Sequence, residues 1–367
     1  MDRAPFPLLT RLLGRRRGWC LATQVALVAA IIGMGTSDPR QDASLTALFA
    51  LLIAFLSASQ DIVIDAYRIE ILEERQQGAG AAATQAGYRI GLLASGAGAL
   101  YLAAAFSWRV AFFAMAALML VGMATILLAP EPRTAIAGTA TPLGAGTLDR
   151  LWRRLKEAVI DPLAEFASRP GWVAILAFVV LYKFGDAFAG VMANPFYVEM
   201  GFTKIEIANV SKIFGLVATL AGVAVGGAVV GRIGVVPALF ACGILQMLSN
   251  LMFAAQAMAG HHLPLLFATI GIENFSGGMG SAAFVAYLSV LCNTAYTATQ
   301  YALLSSFMSF ARTTLSSMSG WVAEQADWVA FFVISTVLAL PALLLLLWMM
   351  RRYPLPVRAP VPATASE

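Results

Sequence analysis

Gln60-Asp-Ile-Val-Ile-Asp-Ala-Tyr-Arg68 closes the long apolar run Leu45–Ser57. Asp61 and Asp65 are four residues apart and Arg68 follows three later. A helix through this stretch therefore carries two carboxylates and a guanidinium on one stripe. The flanking runs are apolar enough to span a bilayer, where an ionisable residue costs about 2.5–3.5 kcal/mol on insertion scales. Such a cost points to pairing or to transport. Two readings stay open at this point. The carboxylates titrate a proton or face a solute, since like charges on one face favour protonation. Alternatively, the helix ends before them and they cap a polar loop with Arg68, Glu70, Glu73, Glu74 and Arg75.

The rest of the chain has the same apolar character. Its 367 residues are 60% hydrophobic and 12% charged, against about 25% charged in a soluble domain. This composition implies an all-α polytopic membrane protein. Ten runs approach the ~20 apolar residues that a spanning helix needs: Trp19–Gly35, Leu45–Ile64, Thr84–Ala105, Trp108–Ala129, Trp172–Ala193, Ile205–Val230, Val235–Met258, Leu263–Leu291, Thr297–Ala323 and Trp328–Met350. Gly91-Leu-Leu-Ala-Ser-Gly-Ala-Gly98 and Gly222-Val-Ala-Val-Gly-Gly227 are rich in small residues, which let helices approach closely in lipid. Cys20, Cys242 and Cys292 have no pair spacing, so neither a disulfide framework nor a metal site follows. The formal charge of +4 sits at helix ends and gives no nucleic-acid signature. No nucleophile elbow, Walker loop, zinc signature or dinucleotide fingerprint is present. The expectation is therefore no enzyme, no cofactor and no metal. The first apolar run follows Gly14-Arg-Arg-Arg17 and has no cleavage site after it, so it does not read as a secretory signal.

Basic residues orient the chain. With the Arg15–Arg17 loop in the cytoplasm, that side also collects Arg68, Arg75, Arg133, Arg150, Arg153, Arg154, Lys156, Arg169, Arg232, Arg351 and Arg352. The opposite side holds only Arg40, Arg109 and Lys204. Residues 131–170 form the one long connection. It is rich in Pro, Gly and Thr at first and then basic and amphipathic over Leu148-Asp-Arg-Leu-Trp-Arg-Arg-Leu-Lys156. It reads as a cytoplasmic linker with a surface helix. The expected organisation is an N-terminal half over 1–130 with four spans, this linker, a C-terminal half over 171–350 with six, and a cytoplasmic tail over 351–367.

Several polar groups fall inside the apolar runs. Arg89, in Gly87-Tyr88-Arg89-Ile-Gly91, either counter-charges Asp61 or Asp65, binds an anionic solute, or snorkels to the interface. Lys183 and Asp186 lie three apart near the middle of Trp172–Ala193. They read as a pathway site or as a self-satisfied pair, and Asn194-Pro195 is expected to end or kink that helix. Glu273-Asn274 with Ser276-Gly-Gly-Met-Gly280 reads as a discontinuous or flexible cavity-lining segment, or as a buried contact between helices. Arg312 is the expected partner of Glu273 or of an anionic ligand. His261 and His262 are adjacent, point apart and read as loop residues.

The basic turns Gly14-Arg-Arg-Arg17 and Gly231-Arg-Ile-Gly234 resemble the loop that follows the second helix of each half in major facilitator superfamily transporters. Six helices lie between the two turns and four follow the second. On this comparison the chain is expected to be a twelve-helix transporter of which about ten helices are present, the first two lying outside it. More specific likenesses are Ala58-Ser-Gln-Asp-Ile-Val-Ile-Asp-Ala-Tyr-Arg68, Gly87-Tyr-Arg89, Lys183-Phe-Gly-Asp186, Asn194-Pro-Phe-Tyr197, Glu273-Asn-Phe-Ser-Gly-Gly-Met279 and Ala298-Thr-Gln-Tyr-Ala-Leu-Leu304. Together these resemble the muropeptide permease (AmpG-type) family of that superfamily. The resemblance implies a monomeric, proton-coupled importer of cell-wall sugar-peptides in the bacterial inner membrane, working by alternating access. It places Gln60 in the stretch tied to transport. Asp61, Asp65 and Arg89 are then expected to couple protons. Gln60, Tyr88, Lys183, Asp186, Asn194, Glu273, Asn274 and Arg312 are expected to meet the solute in a midplane cavity. The wider family also implies another anionic solute, such as acetyl-CoA, as an alternative, and an inactive relic is a further one.

Overall fold

The computed structural model describes residues 10, 12–132, 152 and 156–353. Most of the amphipathic piece Leu148–Lys156 and the tail 354–367 lie outside the described residues. Helices and short connections make up the chain, with no strand among the described residues. In lipid, a helix satisfies its own backbone hydrogen bonds, which is why apolar runs of this length fold this way. Seven segments are long and apolar enough to cross a membrane: Arg15–Thr36, Ala43–Ile71, Trp108–Leu128, Trp172–Glu199, Lys204–Ile233, Val235–Ala259 and Trp328–Arg352. The sequence candidates Thr84–Ala105, Leu263–Leu291 and Thr297–Ala323 also coincide with helical segments.

The chain divides into two compact units. The first takes the described residues through Glu73, then Gly80–Phe166 and Leu288–Ser306. Its helices are α1 (Arg15–Thr36), α2 (Ala43–Ile71), α3 (Gln77–Leu93), α4 (Ala99–Ala105), α5 (Trp108–Leu128) and α6 (Asp161–Ala167). A π-helical turn, Ala94–Gly98, joins α3 to α4. Helix α1 packs against both α2 and α5, and Cys20, Val63 and Ile126 are buried where they meet. Asp42 caps α2. Its carboxylate accepts from the Ser44 hydroxyl at 2.6 Å and the Leu45 N–H at 2.9 Å, and these bonds hold it below the usual carboxylate range.

A charged clamp ties the ends of these three helices together. Glu70, near the end of α2, accepts from Arg15 Nη2 at 3.2 Å and Arg16 Nε at 3.0 Å, and its other oxygen accepts from Arg16 Nη2. The Arg16 and Glu70 side chains are fully buried. Glu131, just past α5, caps the start of α1 by accepting from the backbone N–H groups of Arg16 and Arg17 at 2.7 and 3.0 Å. Arg17 in turn donates to the carbonyls of Ile126 and Leu127 at the end of α5. Gly14, at φ +90°, is required here twice over, because a side chain would be strained and would run into Glu131.

The second unit takes Glu74–Ala79, Ala167–Tyr287 and the described residues from Phe307 onward. Its helices are α7 (Trp172–Leu181), α8 (Phe184–Glu199), α9 (Lys204–Ile207), α10 (Gly215–Ile233), α11 (Val235–Ala259), α12 (Leu263–Leu291, whose last turn belongs to the first unit), α13 (Thr297–Ser316, whose first part belongs to the first unit), α14 (Ser319–Gln325) and α15 (Trp328–Arg352). Another π-helical turn, Ala208–Phe214, joins α9 to α10. Helix α15 packs against α11 and α8, and an aromatic core fills the contact. Phe332 stacks on Phe253 at 4.9 Å and meets Phe196 edge-on at 5.0 Å, while Phe331 stacks on Phe188 at 5.2 Å.

Two sequence expectations change here. Leu263–Leu291 is one unbroken helix, so Ser276-Gly-Gly-Met-Gly280 does not interrupt it. Gly278 instead faces α10, while Gly277 and Gly280 face Gln246 of α11. A Cβ on Gly222 would stand 2.0 Å from the Phe275 carbonyl, and one on Gly278 would stand 2.4 Å from the Thr219 carbonyl. The two helices touch backbone to backbone, the packing that small residues permit in lipid. Likewise, α8 does not end at Asn194-Pro195 but runs through Pro195 to Glu199. The break in Trp172–Ala193 falls earlier, at Tyr182-Lys183.

Two tests follow from this packing. Glu70→Ala leaves the buried Arg16 without its carboxylate and is expected to lower stability by about 3–5 kcal/mol, seen as a depressed unfolding midpoint in detergent. Gly222→Ala forces α10 from α12 and is expected to cost about 1–3 kcal/mol. Gly190→Ala, in α8 with nothing within 4 Å of the added carbon, is expected to be neutral or to gain up to about 1 kcal/mol.

Candidate functional site

Two polar clusters lie within apolar helices, one in each unit. In the first unit, α2 continues past Asp61 and Asp65 to Ile71. The reading in which the helix stops before them is therefore overturned; the apolar run carries the helix through its polar end. Asp65 accepts from Arg68 Nη2 at 3.2 Å, one turn along the same helix. The Arg68 side chain is 7% exposed, and its Nε and Nη1 are buried without hydrogen-bond partners. Its guanidinium carbon stands 5.7 Å from the centre of the Tyr301 ring, a cation–π contact that offsets part of the burial. Asp61 is exposed, and Gln60 keeps its Oε1 buried and unpartnered.

Arg89 is half-buried on α3 and Tyr88 is exposed. The counter-charge expected of Arg89 falls to Arg68 instead, because residues three apart on one helix meet without help from a second helix. Arg68 was part of the polar strip in the sequence but was not among the candidate site residues. Its burial under Tyr301, some 230 positions away (from 68 to 301), is a tertiary fact.

In the second unit the turn at Tyr182-Lys183 aims Lys183 inward. Its ammonium donates to Gln246 Oε1 on α11 at 3.0 Å and pairs with Asp186 Oδ2 at 3.6 Å. Gln246 and Asn250 were not singled out in the sequence. Two amides four apart in the apolar run Val235–Met258 share a helix face, and that spacing was the available signal. Asn274 joins α12 to α10: its Oδ1 accepts from the Thr219 hydroxyl at 2.9 Å and its Nδ2 donates to the Ile270 carbonyl at 3.0 Å. That is the geometry of a contact between helices. Glu273 is half-buried beside it, while Asn194 and Arg312 are exposed. No ion pair to Arg312 is found among the described residues, so the expected pairing with Glu273 is not formed. His261 is an exposed loop residue, 3.3 Å from Glu206. No group of His, Cys, Asp and Glu among the described residues could hold a metal ion.

The Asp65–Arg68 pair is open to a double-mutant cycle. Asp65→Asn alone strands a buried cation, so Asp65→Asn with Arg68→Gln is expected to be more stable than the sum of the single effects, with a coupling of about 1–3 kcal/mol. Unfolding midpoints of the four proteins in detergent measure it.

Comparison with known proteins places this chain in a family. The profile of the Major Facilitator Superfamily matches residues 5–226. The anhydromuropeptide permease of Escherichia coli (strain K12) is 40% identical over 349 residues, covering 95% of this chain and 68% of that protein. A Rickettsia felis protein named as an AmpG transporter is 36% identical over 356 residues, covering 96% of this chain and 83% of that one. Among solved structures, the Escherichia coli fucose:proton symporter aligns with a TM-score of 0.71 at 12% identity, covering 93% of this chain and 85% of the symporter. The human organic anion transporter aligns with a TM-score of 0.66 at 16% identity, covering 90% and 77%. At those identities the two structures speak for the fold alone. With its helical bundle and its matches along nearly the whole sequence, the chain belongs to the major facilitator superfamily of multi-pass membrane transporters, in the anhydromuropeptide permease (AmpG-type) group.

Proposed function

We propose that this chain imports cell-wall turnover sugar-peptides, N-acetylglucosaminyl-anhydro-N-acetylmuramyl peptides, across a bacterial inner membrane. It does so as a proton-coupled monomer working by alternating access, with the Arg15–Arg17 loop, the central linker and the C-terminus in the cytoplasm. The observation that carries this reading is the extended identity with the anhydromuropeptide permease. In the first unit, Asp61 and Asp65 take the proton, with Arg89 of α3 as the third member of the coupling set. Neutralising Asp65 releases its hold on Arg68, and the freed guanidinium becomes available for a different partner; that exchange is the step that links proton to solute. Gln60 and Tyr88 offer hydrogen bonds to sugar hydroxyls and amides. In the second unit, Lys183 and Arg312 attract the lactyl and peptide carboxylates, and Asp186, Asn194, Glu273 and Asn274 complete the polar contacts.

The test is uptake of labelled anhydromuropeptide into proteoliposomes under an imposed pH gradient. For one proton per solute, accumulation is expected to rise about tenfold per pH unit. Asp65→Asn is expected to abolish gradient-driven accumulation while retaining solute exchange at equal pH. Wild-type accumulation with unchanged pH dependence in both Asp61→Asn and Asp65→Asn removes the proton role. Uptake of acetyl-CoA with none of muropeptide reassigns the solute.

A further inference from the structure

The first unit includes a piece of chain that arrives from far along the sequence, Leu288–Ser306. It holds the end of α12, the turn through Asn293 and the start of α13. Two neighbours on this piece, Gln300 and Tyr301, are 2% and 6% exposed and face different elements. Tyr301 covers the Arg68 guanidinium of α2. Gln300 faces α6. Its Nε2 donates to the Pro162 carbonyl at 3.1 Å and to the Glu165 carboxylate. Its Oε1 accepts from the Asn293 N–H at 2.8 Å. Asn293 Nδ2 then donates to the other Glu165 oxygen at 3.2 Å, and its Oδ1 accepts from the Ala295 N–H at 3.0 Å.

Each amide in this ring can sit only one way round. The Pro162 carbonyl and an ionised Glu165 only accept, and the backbone N–H groups of Asn293 and Ala295 only donate. The charge on the carboxylate makes the bonds it accepts stronger than bonds between neutral groups. Successive residues of a helix point about 100° apart, so α13 starts as a wedge, with Gln300 toward α6 and Tyr301 toward α2. A rotation of α13 that released Gln300 would carry Tyr301 off Arg68. Helix α6 itself has only seven residues, too few to persist without tertiary support. Its Pro162 and Phe166 are buried while Leu163 is exposed, so it rests on the unit by one edge.

We propose that α6 is a strap on the Arg68 site: through Glu165 and Gln300 it fixes the rotation of α13 that keeps Tyr301 over Arg68, and unseating α6 uncovers the guanidinium. Glu165 and Gln300 act through Tyr301 and are positioning residues. Seated, the strap shields Arg68 and holds it between Asp65 and the tyrosine face. Unseated, it frees the two buried N–H groups of Arg68 to meet water or an anion. The linker that carries α6 thereby regulates the Asp65–Arg68 pair, because a pull on it opens the site. The place of this strap in transport deepens the reading of Arg68 above and rests on it, but the shielding is tested without any solute.

The experiment is modification of the purified full chain in detergent by phenylglyoxal, an arginine-selective reagent. Rates at individual arginines are read by peptide mass spectrometry. Exposed Arg109 is the internal standard, and buried Arg16, in the clamp on α1, reports general loosening. Glu165→Ala and Gln300→Ala are each expected to raise the Arg68 rate about tenfold, the lost charge-assisted bond appearing as local opening, with Arg16 unchanged. Glu165→Gln keeps one acceptor oxygen and is expected to give a smaller rise. Tyr301→Ala is expected to expose Arg68 directly, and adding Glu165→Ala to it to change the rate no further, since the strap acts only through the ring. An unchanged Arg68 rate in Glu165→Ala, a parallel rise at Arg16, or additive rates in the double variant overturns the proposal. Muropeptide uptake failing in the parent chain while these rates behave as stated would sink the solute assignment and leave the strap standing.

Discussion

A charge placed in hydrocarbon must find its counter-charge within the protein, and the polar architecture of this chain follows from that demand. An isolated ion at the bilayer centre costs about 2.5–3.5 kcal/mol on insertion scales, while a hydrogen bond to a charged group returns about 1.5–3. One good partner roughly balances the account, and two bring a surplus. Glu70 takes the guanidinium groups of both Arg15 and Arg16. Lys183 has Asp186 and Gln246. Arg68 has one carboxylate and one aromatic face, and keeps two buried N–H groups in reserve. The first arrangement is over-satisfied and suits a structural clamp. The last is under-satisfied and suits a group that changes partners.

Between these charges, the chain is held by shape. Lipid gives helices little hydrophobic reason to associate, so close packing has to supply it. Helices α10 and α12 meet through glycines whose missing side chains admit the opposite backbone, whereas α8, α11 and α15 meet through interlocked aromatic rings. The glycine seam and the aromatic core lie in the same unit. The seam brings Asn274 to Thr219, and Gly280 leaves room for the Gln246–Lys183 contact. Polar placement in this unit thus depends on residues with no chemistry of their own.

Much of the fold was legible from the order of residues. The length and apolarity of the runs gave helices, and the spacing of Asp61, Asp65 and Arg68 gave a polar stripe that the structure keeps helical to its end. The errors had a common source. Gly-rich Ser276–Gly280 was read as a break and Asn194-Pro195 as an end or a kink, from propensities measured where water competes for the backbone. Inside a packed bundle, neighbours override those propensities: the glycines became a contact surface and Pro195 stayed within its helix. Of the alternatives open for Arg89 and Arg312, the ion pairs with Asp61 or Asp65 and with Glu273 are not formed among the described residues, since an ion pair across helices depends on rotation and offset that spacing along the chain does not encode.

By itself, then, the sequence determined that this chain is a membrane-embedded helical bundle and which of its helices and loops carry charge, because hydropathy and helical period are properties of neighbouring residues. Tertiary structure alone decided that Arg68 lies beneath Tyr301, that Lys183 turns toward Gln246, and that Asn274 of α12 reaches Thr219 of α10. Those are contacts between residues distant in the chain, fixed by the close approach of helix surfaces, and no local pattern records them.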